Sequence, residues 1–376
     1  MSRMENRRSL AWATSKVVWA VTTQFLCVYI GLLPQMVQAG PAGSGSEFIN
    51  LERLSDRVVL AYWVGMDRRC NLTAIRSRKG LVIIDTEMSP RIMTPIKERL
   101  ELVFGRSDWV YVINTHAHDN HPGGNSLFNG AVIVGHENLA QDMQWIVRRQ
   151  TEPDLKNRSL EQADQYVQKL KAGLPQAAAR SAVEARMVRG ESKFWELHNQ
   201  DLREGYEVVK PSRTFRDKLT LDLEDVHLEL VFFGKGHSLS DTLIYVPEEK
   251  LLVTGAIVYQ RGQFPEIGEA SKLDDVLRFL TVLDRFLAED VKIDRVVSSH
   301  SPPLLKKDLV PVRDYYQRML SGVRLAQRQG LTMDQAKVRL AANRFPAFQE
   351  KPPGTWSYGM HERNLRNLWH IVQAKD

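Results

Sequence analysis

The chain has little cysteine: among 376 residues there are two, Cys27 and Cys70. Cys27 lies in an N-terminal apolar run. With that run set apart as a separate segment, the rest cannot form an intramolecular disulfide and must be held by packing. Cys70 then reads as a small buried hydrophobe beside a strand rather than a catalytic thiol. A strong charge excess is also missing. The chain is +6 overall, but residues 1–39 contain four basic residues and one acid, so the remainder is near +3. That balance argues against a nucleic-acid surface. There is no internal repeat, and 43% hydrophobic content leaves no long stretch too polar to fold. Extended apolar sequence is confined to residues 17–33.

That run follows Arg3, Arg7, Arg8 and Lys16 and precedes Val37-Gln38-Ala39, the layout of a removable export signal over residues 1–39. Arg7-Arg8-Ser9-Leu10 loosely matches a twin-arginine signal, which suits a metalloprotein exported already folded. The predicted location is periplasmic or secreted, the alternative being an uncleaved membrane anchor, the one membrane contact expected.

The most informative stretch is T-H-A-H-D-N-H-P-G-G-N, residues 115–125. His116, His118 and His121 follow Trp109-Val110-Tyr111-Val112-Ile113, whose aromatic and β-branched content is that of a buried strand. Imidazole is the commonest protein ligand for zinc, and histidines at i and i+2 face one ion only from extended or loop backbone.

This loop resembles the H-x-H-x-D-H loop of the metallo-β-lactamase superfamily, and further matches follow in family order. Asp85 closes the apolar run Leu81-Val82-Ile83-Ile84 and begins D-T; Gly236-His237-Ser238 precedes an apolar strand; Leu251-Leu252-Val253-Thr254-Gly255 resembles the next; and His300 sits in Ser298-Ser299-His300-Ser301-Pro302. The resemblance implies an α/β fold, an αββα four-layer sandwich, here with a helical insertion at about 137–204 and a helical C-terminal tail over 306–376. Residues 40–50 read as a Gly/Ser linker and 51–305 as the main domain. A capping box is read at Ser159 and Gln162. In the insertion, Trp145, Phe194, Trp195 and His198 either line a substrate pocket or, the more economical reading, glue the insertion to the core.

By the same resemblance His116, His118 and His237 form a tri-histidine zinc site, while His121, His300 and Asn120 form a second site. Three neutral ligands leave the dication charge intact and bring bound water towards a pKa of about 7. The second site departs from the family: Asn120 stands where an Asp is usual, and Ala256 where a bridging Asp is usual. An amide oxygen is a weaker ligand than a carboxylate, so one zinc is expected firmly and the second weakly bound or absent. Asn120 and Asp119 are the candidate catalytic positions, Asp119 replacing the lost acid if the loop shifts by one residue. Asp85 is expected to orient the loop by accepting hydrogen bonds rather than by ligation. Asp241 is either a distant ligand or, preferably, a turn cap. Tyr259 and Ser299 are weaker candidates for polarising a substrate carbonyl.

The expected function is an exported zinc-dependent hydrolase acting on a small-molecule ester, lactone, amide or related electrophile. The alternative is a catalytically impaired binding protein of the same fold, since both departures remove acids from one metal site. Two-metal nuclease chemistry is disfavoured on those missing acids and on the charge.

Overall fold

A computed structural model describes residues 35–36, 45–65, 70–258, 262–353 and 357–374. Two mixed sheets lie face to face. The first runs in chain order: β1 (Gln35–Met36), β2 (Ile49–Arg53), β3 (Val58–Trp63), β4 (Leu72–Arg76), β5 (Leu81–Ile84), β6 (Trp109–Ile113), β7 (Val132–His136) and β8 (Arg213–Phe215). Its pairs are antiparallel as far as β5 and parallel from β5 to β8. The second sheet has the order β13 (Arg295–Ser298), β12 (Leu251–Gly255), β11 (Thr242–Val246), β10 (His227–Phe232) and β9 (Lys218–Asp222). Within it β12 and β13 are parallel and the other pairs antiparallel.

Strands apolar on both faces explain the layering, because successive side chains alternate between the faces of a sheet. Val82 and Ile84 enter the core between the sheets with Ile113, Ile244 and Val246. Their neighbours Leu81 and Ile83 face outward, where helix α1 (Pro90–Phe104) covers them with Ile92, Ile96 and Leu100. On the far side, Leu243 and Tyr245 meet α6 (Leu273–Leu287) and α7 (Leu309–Arg328), with α9 (Met360–Gln373) packed beyond. The result is the αββα sandwich with its helical insertion and helical tail.

The insertion consists of α2 (Leu139–Asp142), α3 (Gln144–Thr151), α4 (Pro153–Arg180) and α5 (Ala182–Glu204). Ser159 and Gln162 lie within α4 and cap nothing; the helix starts earlier, where Pro153 at the first position supplies a helical φ without needing its missing N–H. The observed cap is Ser181, whose hydroxyl accepts from Glu184 N at 3.0 Å to open α5. Phe194 of α5 is buried edge-on against Trp63, 6.0 Å between ring centres, and Trp195 packs edge-on to Phe194 and Tyr166, whereas Trp145 is exposed. Phe194 and Trp195 therefore bond the insertion to the first sheet. Residues 46–50, assigned to the linker by composition, are instead a 3₁₀ turn (Ser46–Phe48) and the start of β2, because Phe48 buries itself against Trp63. In the tail, α8 (Met333–Arg339) opens on a capping box between Thr332 and Gln335.

Most of the export segment lies outside the described residues. Among the described residues no helix is long and apolar enough to cross a membrane.

Ile244 is fully buried between the sheets, whereas Val338 is 74% exposed on α8. Ile244→Ala is expected to lower unfolding free energy by about 2–5 kcal/mol, and Val338→Ala by less than about 0.5 kcal/mol. Equilibrium urea unfolding checks both; equal losses would contradict the layered core.

Candidate metal centre

β10, β12 and β13 run in the same direction, and the loops leaving their carboxyl ends meet those leaving β5 and β6 at one edge of the sandwich. Asp85 follows β5; His116, His118 and His121 follow β6; His237 follows β10; Ala256 follows β12; His300 follows β13. Five imidazoles gather there. Ring centres are 4.9 Å apart for His116 and His118, 5.0 Å for His116 and His237, 4.4 Å for His118 and His237, 3.9 Å for His116 and His121, and 5.5 Å for His121 and His300. Ligand nitrogens of His116, His118 and His237 all lie within 4.8 Å of one another, close enough to share one ion.

The loop is tied to Asp85. Its carboxyl accepts from Thr115 N (2.8 Å), Thr115 Oγ1 (2.7 Å) and His121 Nδ1 (2.8 Å). Because the Thr115 hydroxyl proton goes to Asp85, Thr115 Oγ1 can only accept at its 3.0 Å contact with His116 Nδ1. Asp85 therefore sets two tautomers, one directly and one through Thr115. Both rings carry the proton on Nδ1 and a lone pair on Nε2. Those two Nε2 atoms are buried and have no hydrogen-bond partner among the described residues. A buried polar atom without a partner is costly, and a metal ion would satisfy it.

Tight backbone completes the loop. Thr86 N and Oγ1 both donate to His121 O, at 2.6 and 3.0 Å, and Asn114 and Asn125 exchange side-chain hydrogen bonds at 2.9 and 3.1 Å. A Cβ on Gly123 would stand 2.1 Å from Met88 O, so only glycine lets this chain pass.

His237 is braced differently. Its Nδ1 lies 2.8 Å from Glu266 Oε2, the carboxylate–histidine pairing that leaves Nε2 for a metal. Asp241 caps the turn, accepting from His237 N (2.6 Å), Ser238 N (3.1 Å) and Ser238 Oγ (2.6 Å). Burial pushes its carboxyl up to about 6.

Protonation differs across the three histidines. Burial, reinforced by its neighbouring imidazoles, holds His116 well below its ordinary value. His118 presents an edge to solvent, but its removal from water among His237 and His121 brings it down to about 3. For His237 burial opposes protonation, yet Glu266, Asp241 and Asp142 outweigh it and the net shift is upward.

The second half-site is poorer in charge. Ala256 is buried and offers a methyl group. Asn120 is partly exposed, and its backbone carbonyl accepts from Cys70 Sγ at 3.1 Å. Burial, with Glu87 and Asp85 nearby, raises the Cys70 thiol well above its usual range, in keeping with its role as donor. The Asp119 carboxylate is hydrogen-bonded and ion-paired to Arg149 of α3, whose guanidinium also lies 3.3 Å from His198 Nε2. Ser299 is 2% exposed, its N donating to Gly255 O (2.9 Å) and its O accepting from Asn71 N (2.7 Å). Tyr259 lies outside the described residues.

Glu266 and Arg149 are the site residues that sequence reasoning missed. Glu266 lies 29 positions beyond His237 in a segment without regular structure, and no spacing signals it.

The sequence profile of the metallo-beta-lactamase superfamily matches residues 65–300, and the chain belongs to that superfamily. No curated protein matches it. Its fold is similar to that of a metallo-beta-lactamase family protein from Thermus thermophilus, at TM-score 0.51 and 18% identity over 86% of this chain and 95% of that one. It is also similar to the stereoselective inverting sec-alkylsulfatase Pisa1 from Pseudomonas sp., at TM-score 0.51 and 16% identity over 85% of this chain and 49% of that one. The chain thus spans about half of the sulfatase, and both likenesses concern the fold.

Two outcomes follow for the metal-free protein. Near pH 6, His116 and His118 are already neutral while His237 is raised, so zinc binding should release about one proton per ion rather than three. Affinity should then fall as pH drops through the His237 titration. Calorimetry in buffers of different ionisation enthalpy counts the protons, and a release near three would refute the assignment. Second, Asp85→Asn puts an amide where both tautomers are set and should weaken zinc binding about 10–100-fold. Competition with a chromophoric chelator measures it.

Proposed function

We propose that the chain is an exported zinc-dependent hydrolase, working from the His116, His118 and His237 site and cleaving an ester, lactone, amide or related small-molecule electrophile. The observation that carries this reading is the convergence of three imidazole nitrogens within 4.8 Å, with His118 open to solvent. When bound, zinc would supply Lewis acidity that makes a nucleophile of water near neutral pH. Asp85, through Thr115, leaves the Nε2 lone pair of His116 free to coordinate, Glu266 aims the ring of His237, and the exposed edge at His118 is where substrate approaches. One firmly held zinc suits the charge distribution. Near the second half-site Asn120 and Ala256 bring no carboxylate, and Asp119 is already neutralised by Arg149. A compact lactamase is disfavoured by the helices of the insertion, which border the same edge, and a nuclease by the missing acids. Export, to the periplasm or medium, rests on the layout of residues 1–39, an uncleaved anchor being the other outcome.

The test begins with zinc content of the purified chain, followed by turnover of a panel of esters, lactones, thioesters and a cephalosporin. We expect about one zinc per chain and activity that His118→Ala reduces to background. A chain that takes up no zinc, or one fully loaded yet inert across the panel, would instead support the impaired binding protein. Asn120→Asp should raise zinc content towards about two per chain, and unchanged stoichiometry would remove Asn120 from the second ligand set. N-terminal sequencing of the exported protein separates cleavage from anchoring.

A further inference from the structure

Residues 265–267 have no regular secondary structure, yet their backbone is held at four points by the C-terminal tail. Asn364 of α9 donates through Nδ2 to Pro265 O (2.6 Å) and accepts at Oδ1 from Ile267 N (2.8 Å). Asn367 Nδ2 donates to Ile267 O (2.9 Å). From α7, Tyr316 Oη donates to Glu266 O (3.1 Å). Asn364 is fully buried, and its Nδ2 also donates to Tyr315 Oη at 2.9 Å, which fixes the amide orientation. The clamped residue between them, Glu266, turns its carboxylate to His237 Nδ1. Gly268, two residues on, lies so close to the His237 loop that a Cβ there would be 2.2 Å from Gly236 O.

We infer that Asn364 and Tyr316 are positioning residues for the metal centre: the C-terminal tail fixes the backbone of Glu266, and Glu266 fixes the ring of His237. The inference rests on the reading of His237 as a zinc ligand. Its physical basis is that an irregular segment left to itself would let the Glu266 carboxylate wander, and a histidine without a fixed partner loses both orientation and tautomer. Two hydrogen bonds from one buried amide, on either side of Glu266, remove that freedom. Sequence places Asn364 about a hundred residues from the segment it holds. The tail is thereby a working part of the site as well as a cover for the second sheet.

The test uses the full chain, stripped of metal, with zinc affinity read by chelator competition and folding read by near-UV circular dichroism and thermal melting. Glu266→Gln should weaken zinc binding about 10–100-fold. Asn364→Ala should weaken it about tenfold, and Tyr316→Phe, which keeps the ring and loses one hydroxyl, by a smaller factor. Leu368→Ala removes apolar packing from the same helix and none of these hydrogen bonds, so it should lower the melting temperature and leave zinc affinity unchanged. In a Glu266→Gln background Asn364→Ala should cost no further affinity, because the path to His237 is already cut. An Asn364→Ala chain that melts early but binds zinc as tightly as the unaltered one would overturn the inference, as would an undiminished effect in the Glu266→Gln background. Should Asn364→Ala not fold, Tyr316→Phe carries the comparison alone, with unchanged zinc affinity as the overturning result. Zinc binding indifferent to His237→Ala would defeat the ligand reading itself, whereas binding that needs His237 but ignores both tail variants would defeat the positioning role alone.

Discussion

The buried carboxyl of Asp85 is the constraint on which the rest of the centre depends. An acid with almost no solvent contact is tolerable only where hydrogen bonds replace its water, and among the described residues the donors to its carboxylate, Thr115 N, Thr115 Oγ1 and His121 Nδ1, all come from the histidine loop. Those bonds do more than anchor a turn. Through Thr115 and directly, they decide which nitrogen of His116 and of His121 carries a proton, and so which lone pairs point into the cluster. The sandwich supplies the rest of the geometry: two parallel strands, β5 and β6, end side by side, so an acid after one lies opposite the loop after the other.

The two halves of the centre are unequal for electrostatic reasons. The tri-histidine half needs neutral ligands, and burial of His116 and partial desolvation of His118 beside its neighbouring imidazoles, even with one edge exposed, favour the neutral form of both. Its one raised member, His237, is raised by the acids that also orient it. The other half would need anions, and two of the acids near it already serve other partners. Asp119 is bound to Arg149, and the Asp85 carboxyl holds Thr115 and His121. The difference between the halves thus involves Asp119 and Asp85 as well as Asn120.

The histidine loop was legible in the sequence because its spacing is local, and the sandwich followed from the resemblance of that loop and the later motifs to one family. The histidine spacing lies within six consecutive positions, 116–121, and the other motifs follow it in family order. What was not legible depends on partners far away in the chain. Ser159 and Gln162 carry the letters of a cap, but Pro153 had already started the helix. Residues 46–50 have linker composition, yet one aromatic, Phe48, finds Trp63 and draws them into the fold. Asp119 has the right chemistry for a ligand, and nothing in the loop shows that Arg149, 30 residues on, will take it. Glu266 is the clearest case: it has meaning only once β10 and the irregular 265–267 segment are adjacent.

These long-range partners follow a pattern. The insertion reaches the histidine loop through Arg149 and Asp119, beside His118, while the tail reaches the opposite wall through Asn364, Tyr316 and Glu266, beside His237. The core sandwich alone brings the three histidines together, since each follows a core strand. It does not by itself fix the ring of His237, whose carboxylate partner at Nδ1 is Glu266, held from the tail. Both helical additions thus reach a carboxylate that neighbours or pairs with one of the three clustered histidines. Additions that merely covered apolar sheet faces would have no reason to converge on that edge, so their placement argues that they are braces of the site as much as parts of the shell.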